Sequence, residues 1–205
     1  MKDIHTSAFD DCSSLTDITW NAGDYTGDYP FANVRDQIRS ITFGDAIKTI
    51  PAYFCYDMTA LSQLHISSSV TTIGGYAFGN CNALKSAELG TSVVSLEDGV
   101  FYGCDELHTI TLNRRLQHIG EDAFLYSNKL AKVNYRGKIS NWCNIHFDNK
   151  SANPLAIAHN LHMEGAKQTH LNLPYSVDTI RPYAFAGYTS LASITIPVSV
   201  KNIGY

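Results

Sequence analysis

The sequence predicts an α/β-type solenoid with a parallel β-sheet along one side and short 3₁₀ or α turns along the other. Three observations carry this expectation. Apolar residues recur every 23 positions: Leu15, Ile38, Leu61, Leu84, Leu107 and Leu130 fall on one column, and Ile18, Ile41, Leu64, Ala87, Ile110 and Val133 on the next. Within each period a short Leu-x-x-Ile-x-Ile stretch alternates like a strand, as in Leu84-x-x-Ala87-x-Leu89. Opposite it, segments such as Ala77-Phe78-x-x-Cys81 carry helical spacing over about one turn. A fixed period of this size marks units that bury their apolar faces only against their neighbours.

Each element follows from the period. The strands sit one repeat apart, so they are predicted to pair in parallel at about 4.8 Å. Phe9, Phe78, Phe101, Phe124, Phe147 and Phe185 are read as a bulky core spine, and Ala8, Ala77, Ala123 and Ala184 precede four of them where room is short. Phe54-Cys55 exchanges the large and small positions, which a core tolerates when volume is conserved. Gly74, Glu97, Gly120 and Arg181 mark the bends between the Val-x-x-Ile column and the turn. Cys12, Cys81 and Cys104 share a column and are read as packed thiols, the odd total of five arguing against a complete disulfide framework.

Two stretches depart from the pattern. Residues 21–30, rich in Gly, Asp and Tyr, form an irregular loop that re-enters the core at Phe31. From Phe147 to Phe185 is 38 residues, one repeat plus 15, and the excess is placed at about 153–168, with a hairpin turning at Glu164-Gly165. The array is otherwise read as a single domain over residues 1–205, cut from a longer array because both ends fall inside repeats.

Leu191-x-x-Ile194-x-Ile196-Pro197-x-x-Val200-x-x-Ile203-Gly204, taken with Ala184-Phe185, resembles the BspA-like, treponemal-type leucine-rich repeats. Ser140-Asn141-Trp142-Cys143-Asn144-Ile145 with Asn153-Pro154-Leu155 is similar to the interrupted repeat of such arrays. The resemblance implies a leucine-rich repeat array in a bacterial surface or secreted protein that serves adhesion or protein binding. It brings no catalytic residues. An extracellular or cell-surface location is implied by the family alone, since the chain shows no signal peptide.

The composition narrows the partners. Fifteen Lys and Arg against 19 Asp and Glu give a net charge of −4, not the basic footprint of a nucleic-acid binder. No apolar run is long enough to insert into a membrane. A monomer without cofactors is expected, with a protein or glycan as ligand. Cys143-x-x-His146 and His159-x-x-His162 have the residue types of a zinc site, but their places in a turn and on opposite faces of a strand argue against one. The chain lacks a nucleophile-elbow, His-box or phosphate-loop pattern, so it is read as non-catalytic.

The candidate binding surface is instead the outward face of the strands. One row reads Thr19, Thr42, His65, Glu88, Thr111, Asn134, Asn172 and Thr195; its neighbour contains Gln63, Lys132 and His170. Of these, His65, Glu88, Thr111, Asn134, Gln63, Lys132 and His170 are the sheet-face candidates, and Tyr25 and Tyr29 are the loop candidates. A solvated sheet face in a purely structural spacer is the alternative, because Thr is also simply a good strand residue.

Overall fold

In the computed structural model, which describes residues 4–5, 7–23, 25, 27 and 29–204, the chain is the expected solenoid. Asp24, Thr26 and Asp28 of the 21–30 loop lie outside the described residues. The wide face begins with three parallel strands, Asp17–Trp20, Ser40–Phe43 and Gln63–Ile66. A second block follows with Ser86–Glu88, Thr109–Leu112, Lys132–Tyr135 and Leu161–Met163 in parallel and Ala166–Lys167 antiparallel on its edge. His170–Asn172 and Ser193–Thr195 form a third. Up to Tyr135 the register matches the 23-residue columns: Ile18 lies opposite Ile41, Ile41 opposite Leu64, and Ile110 opposite Val133.

A second sheet appears that the sequence pattern did not announce. Thr49–Ile50, Thr72–Ile73, Ser95–Leu96, His118–Ile119 and His146–Phe147 pair in parallel on an adjoining side, and Thr179–Ile180 pairs with Asn202–Ile203. Two-residue strands leave no alternation to read, yet Ile50, Ile73, Leu96 and Ile119 are fully buried. Gly74 makes the bend after this sheet because a Cβ there would stand 2.5 Å from the Ala52 nitrogen of the preceding repeat.

The third side consists of hydrogen-bonded turns with a ladder of their own. Tyr53, Cys55 and Asp57 donate to Gly75, Ala77 and Gly79 one repeat on; Tyr76, Phe78 and Asn80 donate to Asp98, Val100 and Tyr102. Two left-handed residues four apart shape the regular turns, as at Tyr53 and Asp57 or Tyr76 and Asn80. At Gly99, with φ of +62°, a Cβ would also collide with the Tyr76 ring. Among the described residues helix is confined to one-turn pieces in irregular places: 3₁₀ at Arg35–Gln37 and Lys150–Ala152, α at Ile139–Trp142 and Leu155–Ala158.

Inside these walls Phe78, Phe101 and Phe124 stack with centroids 5.5 and 5.7 Å apart. The thiols of Cys81 and Cys104 donate to the carbonyls of Cys55 and Phe78, and Ser127 continues that column by donating to Phe101. Burial pushes the Cys104 thiol up to about 12 and the Cys81 thiol well above its usual range. Cys12 departs from the expected thiol ladder: it is exposed, because no described repeat packs outside the first turn.

The register changes twice, by five residues before Phe147, earlier than the sequence suggested, and by ten more at the hairpin between Met163 and His170. Phe147 lies opposite Ile119, not on the Phe124 column, so the 28-residue step between them contains five extra residues, spent on the helical turn Ile139–Trp142. Phe124 donates to Ser151, which places Ala152 where another spine Phe was expected. Trp142 restores the lost volume. It is fully buried, meets Tyr135 and Phe147 at 5.2 and 5.7 Å, and its indole N–H donates to Ala184 at 2.7 Å. Asn153, also fully buried, donates to Tyr183 and Ala184 and caps Leu155. The expected hairpin follows, with Glu164 and Gly165 both at positive φ.

Replacing Phe101 by Ala is expected to cost about 3 to 5 kcal/mol in denaturant unfolding, because a spine ring stacked on both sides leaves a cavity that neither neighbour can fill. Thiol titration with a disulfide reagent at pH 8 is expected to find Cys12 reactive in the native protein and Cys55, Cys81, Cys104 and Cys143 only after unfolding. The thermal midpoint should also fall as pH rises from about 9 toward 12. The unfolded Cys104 thiol ionises from its ordinary 9.0, while the folded one stays neutral up to about 12, so stability present below the lower value is lost across that window.

Candidate binding site

The second block of the wide face ends in a hollow of about 1010 Å³. Its floor is strand: Thr111 from Thr109–Leu112, Lys132, Asn134 and Tyr135 from Lys132–Tyr135, and His162 from Leu161–Met163. One wall is the segment from Arg136 through Lys138 to Asn141, which the extra helical turn pushes out of the regular path. The other is the hairpin tip, Glu164 and Gly165. The irregular repeat thus builds both walls while the regular ladder supplies the floor.

Parallel register fixes the floor. Thr111 lies opposite Asn134, and Asn134 opposite His162, so three outward side chains line up at strand spacing. Asn134 Nδ2 donates to Thr111 Oγ1 at 3.3 Å. The His162 Nδ1 atom is buried and has no hydrogen-bond partner. Burial holds this imidazole below its usual range, and Lys132 and Lys167 add to the effect. Tyr135 is 2% exposed, its ring edge-on to Trp142 and its hydroxyl buried without a partner, so burial and the nearby Cys143 raise its phenol. Arg136 pairs with Glu88 at 2.7 Å on the rim.

The structure therefore gathers Thr111, Asn134 and Lys132 from the predicted sheet face, with Glu88 beside them. Gln63 and His65 are exposed on the first block, and His170 on the third. His162, Arg114, Arg136 and Lys138 join the site from outside the predicted set. His162 was masked by the five-residue register change, whereas the others stand in turns, where only the stacking of repeats reveals proximity. Tyr25 is a core residue, 5% exposed and packed edge-on to Trp20 and Phe54. Tyr29 stacks on Tyr53 at 5.7 Å, at the head of a tyrosine row that continues to Tyr76.

The four residues with zinc-ligand chemistry go to different environments. Cys143 is buried, with its thiol pushed up to about 11 by burial. His146 Nε2 is 3.0 Å from Asp148, and His159 Nδ1 is 2.6 Å from the Gly187 carbonyl. His162 faces the hollow. Among the described residues no group of three His, Cys, Asp or Glu side chains is placed to hold a metal. Asp148 also meets His118 Nε2, whose Nδ1 is 3.0 Å from Ser95 Oγ. Ser95 in turn donates its hydroxyl proton to Glu97 at 2.7 Å.

Among the described residues no helix is long and apolar enough to cross a membrane. No curated protein matches the chain in sequence. Among solved structures, a leucine-rich repeat protein from Bacteroides ovatus is 25% identical with a TM-score of 0.54, over 97% of this chain and 53% of the other. A Treponema pallidum leucine-rich repeat protein is 17% identical with a TM-score of 0.48, over 93% of this chain and 67% of the other. One from Eubacterium ventriosum is 18% identical with a TM-score of 0.48, over 92% and 62%. The chain spans about half the length of the Bacteroides structure. The model of the BspA type leucine rich repeat region, in six copies, matches residues 1–54, 24–154 and 155–205, and the chain belongs to that family.

Proposed function

We propose that the chain is a single non-catalytic repeat domain that works outside a bacterial cell as a binding module for a protein or glycan, with the hollow on the wide face as its contact site. Membership of a repeat family generally used for protein binding supports the module. The observation that carries the site is the hollow itself, floored by Thr111, Lys132, Asn134 and His162 and walled by the irregular repeat. A regular stack presents a flat polar face; concavity with convergent polar groups is what a ligand site requires. Extracellular display and an adhesive role are part of the same proposal, supported by the family.

Asn134→Trp tests it. A strand position accepts Trp without backbone strain, and the indole fills the hollow. In solid-phase binding to arrays of matrix proteins and host glycans, at least one ligand of the native protein should lose about tenfold or more in affinity on this change. Circular dichroism and the thermal midpoint should stay as they were. Equal binding of native and variant proteins to every ligand would contradict the site.

A further inference from the structure

Four of the 15 basic side chains of this acidic chain line the hollow. Arg114, Lys132, Arg136 and Lys138 line it, with Glu164 as the acidic residue of its wall. Arg114 also lines two adjoining depressions, one with Arg115 and Arg136 and the other with Arg115 and Arg181. Arg136 is held by Glu88, but among the described residues Arg114, Arg115, Lys132, Lys138 and Arg181 make no ion pair.

The fold forces this gathering. Arg114 and Arg115 occupy the turn between Thr109–Leu112 and His118–Ile119, and Lys138 follows Arg115 one repeat later. Stacking brings the two turns to one hollow, which Arg114 and Lys138 both line. Like charges gathered at one hollow repel, and an anion between them relieves the repulsion.

The rest of the lining points to the kind of anion. Thr111, Asn134, Ser140 and Asn141 supply hydroxyl and amide groups, and the buried His162 Nδ1 lacks a partner. A nucleic acid strand would want aromatic faces on which to stack its bases. Tyr135, 2% exposed, offers none. An acidic peptide would want an apolar anchor pocket, and this lining is polar. Guanidinium forks match sulfate and carboxylate groups, and neutral donors and acceptors match sugar hydroxyls.

We propose that this surface binds an acidic polysaccharide, with Arg114, Lys132 and Lys138 pairing its sulfate or carboxylate groups and Thr111, Asn134 and Asn141 meeting its hydroxyls. The inference rests on the hollow being the contact site.

The experiment uses immobilised heparin as the sulfated probe and polygalacturonate as the carboxylate-only probe, with dextran, polyglutamate and single-stranded DNA as comparators. One or both acidic polysaccharides should bind, weakening as NaCl rises from about 50 to about 300 mM. The double variant Arg114→Gln, Lys138→Gln should lose about tenfold or more in affinity, while Lys48→Gln, an exposed lysine on another turn, should not. Which probe binds better assigns the anionic group. Failure to bind either polysaccharide, equal loss in the Lys48 variant, or tighter binding of polyglutamate or DNA would overturn the proposal. A neutral ligand lost in Asn134→Trp but kept in the double variant would refute the acidic class and leave the hollow standing. Binding kept in both variants would refute the hollow.

Discussion

Everything in this molecule depends on one constraint: a repeat can bury its apolar face only against the repeats beside it, so the backbone of each must lie where its neighbours' hydrogen bonds can reach. The ladders on three sides meet that requirement. Gly74 donates to Ile50 and Gly120 to Leu96 on the second sheet, Phe78 to Val100 on the turn side, and Leu89 to Thr111 on the wide face. Because these bonds repeat at a fixed spacing, the side chains of each column must also stack. That is why aromatic rings form a spine and thiols form a donor column beneath it.

The irregular repeat shows how far the constraint can bend. Five residues enter as the helical turn Ile139–Trp142, yet Val133 still donates to Asn160 and Arg181 to Cys143, so the frame closes on both sides. Trp142 supplies the volume that Ala152 no longer provides, and Asn153 supplies hydrogen bonds that a turn of ordinary length makes unnecessary. The displaced backbone has to go outward. It goes onto the wide face, where with the hairpin tip it turns a flat sheet into a concave surface. The hollow is thus a consequence of accommodating extra chain in a stack that allows no gap.

Much of this was legible in the sequence, for reasons that also explain the rest. Leu61, Ile110 and Phe101 could be placed because burial imposes apolar chemistry at a constant spacing. Thr111, Asn134 and Lys132 were legible as outward strand positions of the same columns. The second sheet was not, since Thr72–Ile73 or Ser95–Leu96 is too short to alternate. Phe147 misled because an aromatic residue happens to fall 23 positions after Phe124, whereas the hydrogen bonds put it opposite Ile119. Tyr25 looked like a loop side chain and is a core residue, since Trp20 and Phe54 leave a space that only an aromatic ring fills. Arg114, Arg136 and Lys138 were hidden for a different reason. Turn residues carry no periodic signature, and their convergence exists only once the repeats are stacked.

The central claim, that the stack runs unbroken through the irregular repeat and so fixes the hollow's walls, is tested most directly by native-state hydrogen exchange at single amides. The account predicts that the Val133 and Arg181 amides, which bond into the irregular repeat from either side, exchange as slowly as those of Phe78 and Gly120 in the regular array. Exchange of Val133 and Arg181 at the rate of open loops, with Phe78 and Gly120 still protected, would mean that the stack parts at residues 139–168 and that the hollow has no fixed walls.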